Sequence, residues 1–105
     1  MSAMTEAMTA MSPRVRVIEE DAAIAELLSY NLAAEGLRPT VVMTGEEAEM
    51  QVAEDNFDLI VLDWMLPGLS GIELCRRLRA RPETSHLPII MLTARGQESE
   101  RVRGL

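Results

Sequence analysis

The sequence predicts an α/β fold in which a parallel sheet carries helices on both faces. Three observations carry that prediction. From Pro13 onward, short aliphatic or β-branched runs alternate with longer stretches of helical periodicity. One run, Leu59 to Leu62, is apolar at every position, as a central strand covered on both faces must be. Two boxes of the form Ser/Thr-x-x-Glu, Thr44 to Glu47 and Ser70 to Glu73, mark where helices begin.

The elements follow in chain order. Val15 to Ile18 reads as the first strand and ends in the acids Glu19, Glu20 and Asp21. Between Ala22 and Glu35, apolar Ile24, Leu27, Leu28 and Leu32 fall at helical spacing, and Gly36 supplies the stop. Arg38 to Met43 is strand-like, and Thr44 opens a second helix that runs to about Glu54. The third strand ends in Asp63, and a Pro67-Gly68 loop follows. Ser70 then opens a third helix with Ile72, Leu74, Cys75 and Leu78 on one side, closed by Pro82. Leu87 to Leu92 is the fourth strand, and Thr93-Ala94-Arg95 leads into a polar stretch, helical or irregular, up to Leu105. Parallel strands joined by right-handed helical crossovers make a doubly wound sheet.

At 105 residues the chain has room for one domain. Hydrophobic residues make up 48% and charged residues 26%, enough for a packed core under a polar surface. With one Phe, one Tyr and one Trp, aliphatic side chains must fill that core. A formal charge of −7 argues against nucleic acid as the partner, because phosphate backbones are bound by clustered Lys and Arg. The lone Cys75 excludes an internal disulfide and suits a reducing cytoplasm. No apolar run approaches the ~20 residues a membrane span needs. Residues 1–13 lack the basic start and apolar core of a secretory signal and read as a disordered leader. An amphipathic Met-rich docking helix is the alternative there.

In an open α/β sheet, ligands bind beyond the carboxyl ends of the strands, where the winding reverses. For the flavodoxin-like strand order 2-1-3-4-5, that point lies between the first and third strands. Those strands end in Glu19-Glu20 and in Asp63. Neighbouring strands lie about 4.8 Å apart, so these acids crowd together, with Thr93 flanking Asp63 from the fourth strand. Clustered carboxylates raise one another's pKa, and a hard dication relieves the repulsion. Mg²⁺ takes a few carboxylates with waters and phosphate oxygens, and it offsets charge on a transferring phosphoryl group. Asp63 is then placed to act as a nucleophile that forms an aspartyl phosphate, with Thr93 and nearby backbone N–H groups holding the incoming oxygens.

The segments VIEED, LIVLDWMLPGLSGIEL and PIIMLTARGQESERVRGL resemble the receiver domain of response regulators. Within that family the likeness is to the phosphate-regulon regulators of the OmpR/PhoB group, and it covers Arg14 to Leu105. The resemblance implies that Asp63 is the phosphoacceptor, charged by a sensor histidine kinase in a two-component system. It implies an acidic pocket in which Glu20 meets Mg²⁺ directly and Glu19 through water, with the Met65 backbone carbonyl as a further ligand. Thr93 would be the switch hydroxyl, and the Ala94 backbone would hold the phosphoryl group. The domain would be cytoplasmic and would signal to transcription rather than act as a conventional enzyme.

Two departures bear on that expectation. The family usually carries Asp at the position of Glu20, and the longer arm is expected to weaken metal binding without abolishing it. The family also continues into a fifth strand bearing a Lys, a fifth helix and a winged-helix DNA-binding domain. The sequence therefore reads as a sheet of order 2-1-3-4 with the fifth strand and helix missing. The fourth strand becomes an edge that invites self-association, and the chain itself would not bind DNA. A pseudo-receiver that only dimerises is the alternative reading, favoured by Glu20 and the absent Lys and opposed by the intact Asp63.

Other residues carry two readings each. Asp21 is a helix N-terminal acid favoured by the helix dipole. Trp64 either reports on the site or simply packs beside it. His86 reads as a surface histidine rather than a phosphohistidine, and Cys75 as core. Arg76, Arg77, Arg79 and Arg81 form a basic face, solvated or docking. Arg16 is unexpected in a buried strand, and its stem would pack while its head reaches the rim. An aspartyl-phosphate phosphatase would want an acid two residues after Asp63, where Met65 stands. No phosphate-binding glycine motif follows the first strand, which disfavours a nucleotide-binding fold.

Overall fold

The computed structural model describes residues 12–52 and 56–92. They form seven elements in the order β1 (Arg14–Ile18), α1 (Ala22–Ala34), β2 (Arg38–Val42), α2 (Gly45–Val52), β3 (Leu59–Asp63), α3 (Gly71–Ala80) and β4 (Ile89–Leu92). The strands make one parallel sheet in the order β2-β1-β3-β4, as the sequence predicts. The winding reverses between β1 and β3.

The alternation of a strand explains the two cores. Ile18, Val42, Ile60 and Leu62 point to the face covered by α2 and α3, where Ala48, Leu74 and Leu78 meet them. Val15, Val17 and Val61 point to the other face, where Leu28 and Leu32 of α1 cover them. Every apolar position of β3 is thereby used, which is why that run shows no polar alternation.

Caps fix where the helices start. Asp21 accepts the N–H groups of Ala23 and Ile24 at 2.9 and 3.2 Å and so caps α1. The Thr44 hydroxyl accepts the Glu47 N–H at 3.1 Å, and the Ser70 hydroxyl accepts the Glu73 N–H at 3.2 Å. The Glu73 carboxylate turns outward to Arg76 and Arg77. Gly36 follows α1 in the left-handed region at φ 87°, the helix stop its sequence position implies.

Three expectations need correction or a cause. Ile24 and Leu27 recur at helical spacing yet are 42% and 60% exposed, because the arc of α1 that meets the sheet runs through Ala25, Leu28 and Leu32. Arg16 is buried, 7% exposed, and its guanidinium lies 4.2 Å from the centre of the Phe57 ring, with Arg14 over the same ring at 4.9 Å. A cation over an aromatic face is an attractive arrangement that a strand pattern alone cannot show. The arginines of α3 are bound within the fold: Arg77 and Arg81 pair with Glu49 at 2.9 and 3.5 Å, Arg76 pairs with Glu73, and Arg79 donates to the Ser85 carbonyl.

The leader read over residues 1–13 ends, at its described residues, in hydrogen bonds from Arg38 to the carbonyls of Ser12 and Pro13. Among the described residues no helix is long and apolar enough to cross a membrane. The end of the second helix at Glu54, and the stretch from Thr93 onward, lie outside the described residues.

Candidate functional site

The register of the sheet builds the site. Val17 pairs with Val61 and Ile18 with Leu62. Glu19 stays extended because its N–H donates to the Val42 carbonyl at 3.0 Å. One more step of the same register sets Glu19 beside Asp63. The burial agrees: Glu19 is 4% and Asp63 9% exposed, whereas Glu20 is open to solvent.

The two buried carboxyl groups follow adjacent register positions of β1 and β3, close enough for Asp63 to act on Glu19. Glu19 is pushed up from its usual 4.5 to about 7, chiefly because burial penalises its charged form. The Asp21 N–H, which donates to Glu19 Oε2 at 3.1 Å, opposes that rise, while Asp63 and the charge of Asp21 add to it. A buried pair of acids held this way is a site short of one positive charge.

Asp63 is fixed on its other sides. Its Oδ1 accepts the Met65 N–H at 3.1 Å, and it pairs with Leu92 of β4. The Trp64 N–H donates to the Leu92 carbonyl at 2.9 Å, and the Trp64 carbonyl accepts the Gly71 N–H at 3.0 Å. Trp64 is half-buried, and the Met65 side chain is exposed. A Cβ on Gly71 would lie 2.2 Å from the Asp63 carbonyl oxygen, so α3 begins directly against the backbone of Asp63. The sequence points to Ser70 as a cap and gives no sign of this second requirement one residue on.

The structure thus brings together Glu19, Asp63 and the Met65 backbone. Glu20, the next residue and the one expected to meet a metal directly, is exposed to solvent. Among the described residues no three of His, Cys, Asp and Glu are grouped as a metal cluster. Thr93 and Ala94 lie outside the described residues; Leu92, which precedes them, is the β4 neighbour of Asp63.

A model of the response regulator receiver domain matches residues 15–105. The chain belongs to that family. The receiver domain is similar to the phosphate regulon transcriptional regulatory protein PhoB of Rhizobium meliloti, with 62% identity over 95 residues, covering 90% of this chain and 42% of that protein. It is 43% identical to PhoB of Escherichia coli over the same shares of each. Among solved structures, a response regulator from Chloroflexus aurantiacus superposes with a TM-score of 0.84 at 35% identity, covering 89% of this chain and 76% of that one. The receiver domain spans about 42% of the length of these PhoB relatives. A response regulator receiver domain is a signalling module, which sets aside the phosphatase and nucleotide-binding readings.

Proposed function

We propose that this receiver domain accepts a phosphoryl group on Asp63 from a sensor histidine kinase and passes the signal to transcription of phosphate-responsive genes. The observation that carries the reading is the buried Glu19–Asp63 pair at the tips of β1 and β3. The donor set fits Mg²⁺, which is satisfied by one or two carboxylates with waters and phosphate oxygens. Glu20, Asp63 and the Met65 carbonyl would hold the ion, with Glu19 reaching it through water. When bound, Mg²⁺ supplies positive charge against the phosphoryl oxygens and against the two carboxylates.

The residues of the chain do the rest. An Asp63 carboxylate oxygen forms the new bond to phosphorus while the bond to the donor imidazole nitrogen breaks, and the imidazole takes up a proton. The Met65 N–H orients the Asp63 carboxylate through Oδ1. Thr93 and the Ala94 backbone, which follow β4, would hold the phosphoryl oxygens. The regulon assignment rests on the names of the PhoB relatives, and a DNA-binding domain and a cytoplasmic setting belong to the same proposal.

Intact-protein mass spectrometry after incubation with acetyl phosphate and Mg²⁺ tests it. One added phosphate, absent from Asp63→Asn, is expected. A folded protein that gains none supports the pseudo-receiver reading, which Glu20, standing where the family usually has Asp, favours.

A further inference from the structure

The loop 64–70 carries the Met65 backbone to the Asp63 carboxylate, and α2 holds that loop from outside. Glu46 Oε2 accepts the Leu69 N–H at 3.1 Å. The approach is close: a Cβ on Gly68, whose φ is 68°, would lie 2.5 Å from the same oxygen. A Cβ on Gly45 would lie 2.8 Å from the Leu69 carbonyl oxygen. A glycine on each side lets the first turn of α2 seat against Gly68-Leu69.

Glu46 is not needed to cap its own helix, because Thr44 does that. Leu66 of the loop is buried in the core, and among the described residues the loop's other backbone hydrogen bonds are at its ends, Met65 to Asp63 and Gly71 to Trp64. Between them Pro67 has no N–H to offer, so Leu69 is where a neighbour can take hold. Resting on the Asp63 reading above, we propose that Glu46 is a positioning residue. Its bond to Leu69 holds the loop, and through it the Met65 backbone, in the geometry the metal site needs. The task belongs to the acceptor oxygen of Glu46 and not to its charge.

The experiment compares Glu46→Ala, Glu46→Gln and Glu47→Gln in the whole chain, with Mg²⁺ binding followed by Trp64 fluorescence. Glu46→Ala is expected to weaken Mg²⁺ binding roughly three- to tenfold, the range set by one net hydrogen bond. Glu46→Gln keeps an acceptor and should bind like wild type. Glu47→Gln removes the same charge from the same turn and should also bind like wild type. If both Gln variants weaken as Glu46→Ala does, the effect is charge and the proposal is overturned.

Amide hydrogen exchange gives a readout independent of metal. The Leu69 and Met65 amides should exchange faster in Glu46→Ala than in wild type and Glu46→Gln, and unchanged exchange would refute the clasp. If wild type shows no saturable Mg²⁺ response that Asp63→Asn removes, the Asp63 reading fails. The Leu69 exchange still decides the clasp in that case.

Discussion

Glu19 and Asp63 sit side by side, both buried, at the tips of two adjacent strands, and the Glu19 carboxyl is pushed up to about 7. In the unfolded chain its proton leaves near 4.5. Across that window the folded state therefore binds more protons than the unfolded state, so stability falls as pH rises and stays low above about 7. Thermal melts of metal-free protein should show this decline, and Glu19→Gln should remove it. Added Mg²⁺ favours the ionised pair, so it should raise the melting temperature more above pH 7 than near 4.5, and a chelator should reverse the gain. Equal gains at both ends of the window would contradict the assignment.

Asp63→Asn separates charge from shape. An Asn side-chain oxygen can still accept the Met65 N–H, now at 3.1 Å, while the negative charge beside Glu19 is gone. The metal-free variant should be more stable than wild type at neutral pH, because a second acid no longer sits beside the buried Glu19. Its stabilisation by Mg²⁺ should shrink. Urea melts with and without Mg²⁺ read both effects, and a variant less stable than wild type in chelator would refute the like-charge account.

The fold was legible because the β runs and caps are local signals. Leu59 to Leu62 announces a two-faced strand, and Ser70 and Thr44 announce helix starts by hydroxyls that the structure finds bonded to Glu73 and Glu47. The strand tips were legible too, since Asp63 closes the most apolar run. That Glu19 follows into the register position beside Asp63 was less so. It depends on continuing the pairing of Val17 with Val61 for one more pleat, and register is a property of two strands, not of one. Arg16 was opaque for a similar reason: its partner, the Phe57 ring, arrives from a distant loop.

Gly71 illustrates a requirement that no torsion signal carries. Its role is close approach, with the Asp63 carbonyl 2.2 Å and the Trp64 Cα 2.8 Å from where a Cβ would sit. Both are backbone atoms at the site and cannot step aside without moving Asp63. Gly71→Ala should cost about 1–3 kcal/mol, as overpacking does. It should also slow phosphorylation more than a surface change of equal cost in stability. Paired denaturation and acetyl-phosphate kinetics test this, and a stable, fully active Gly71→Ala would count against the crowded packing.

The α1 face gives the clearest contrast between pattern and packing. Leu27 and Leu74 both sit at helical spacing, but Leu27 is 60% exposed and Leu74 is fully buried between α3 and the sheet. Leu74→Ala removes side-chain atoms that contact the Ile18, Ile60 and Leu62 cluster and leaves a cavity, at a cost of about 2–5 kcal/mol. Leu27→Ser removes nothing from the core, so its effect should stay within about 0.5 kcal/mol of zero. Chemical denaturation of the two variants decides between the four-residue stripe of Ile24, Leu27, Leu28 and Leu32 and the narrower arc of Ala25, Leu28 and Leu32. A loss of about 2 kcal/mol or more in Leu27→Ser, the size of a core truncation, would show that another surface covers α1 in solution.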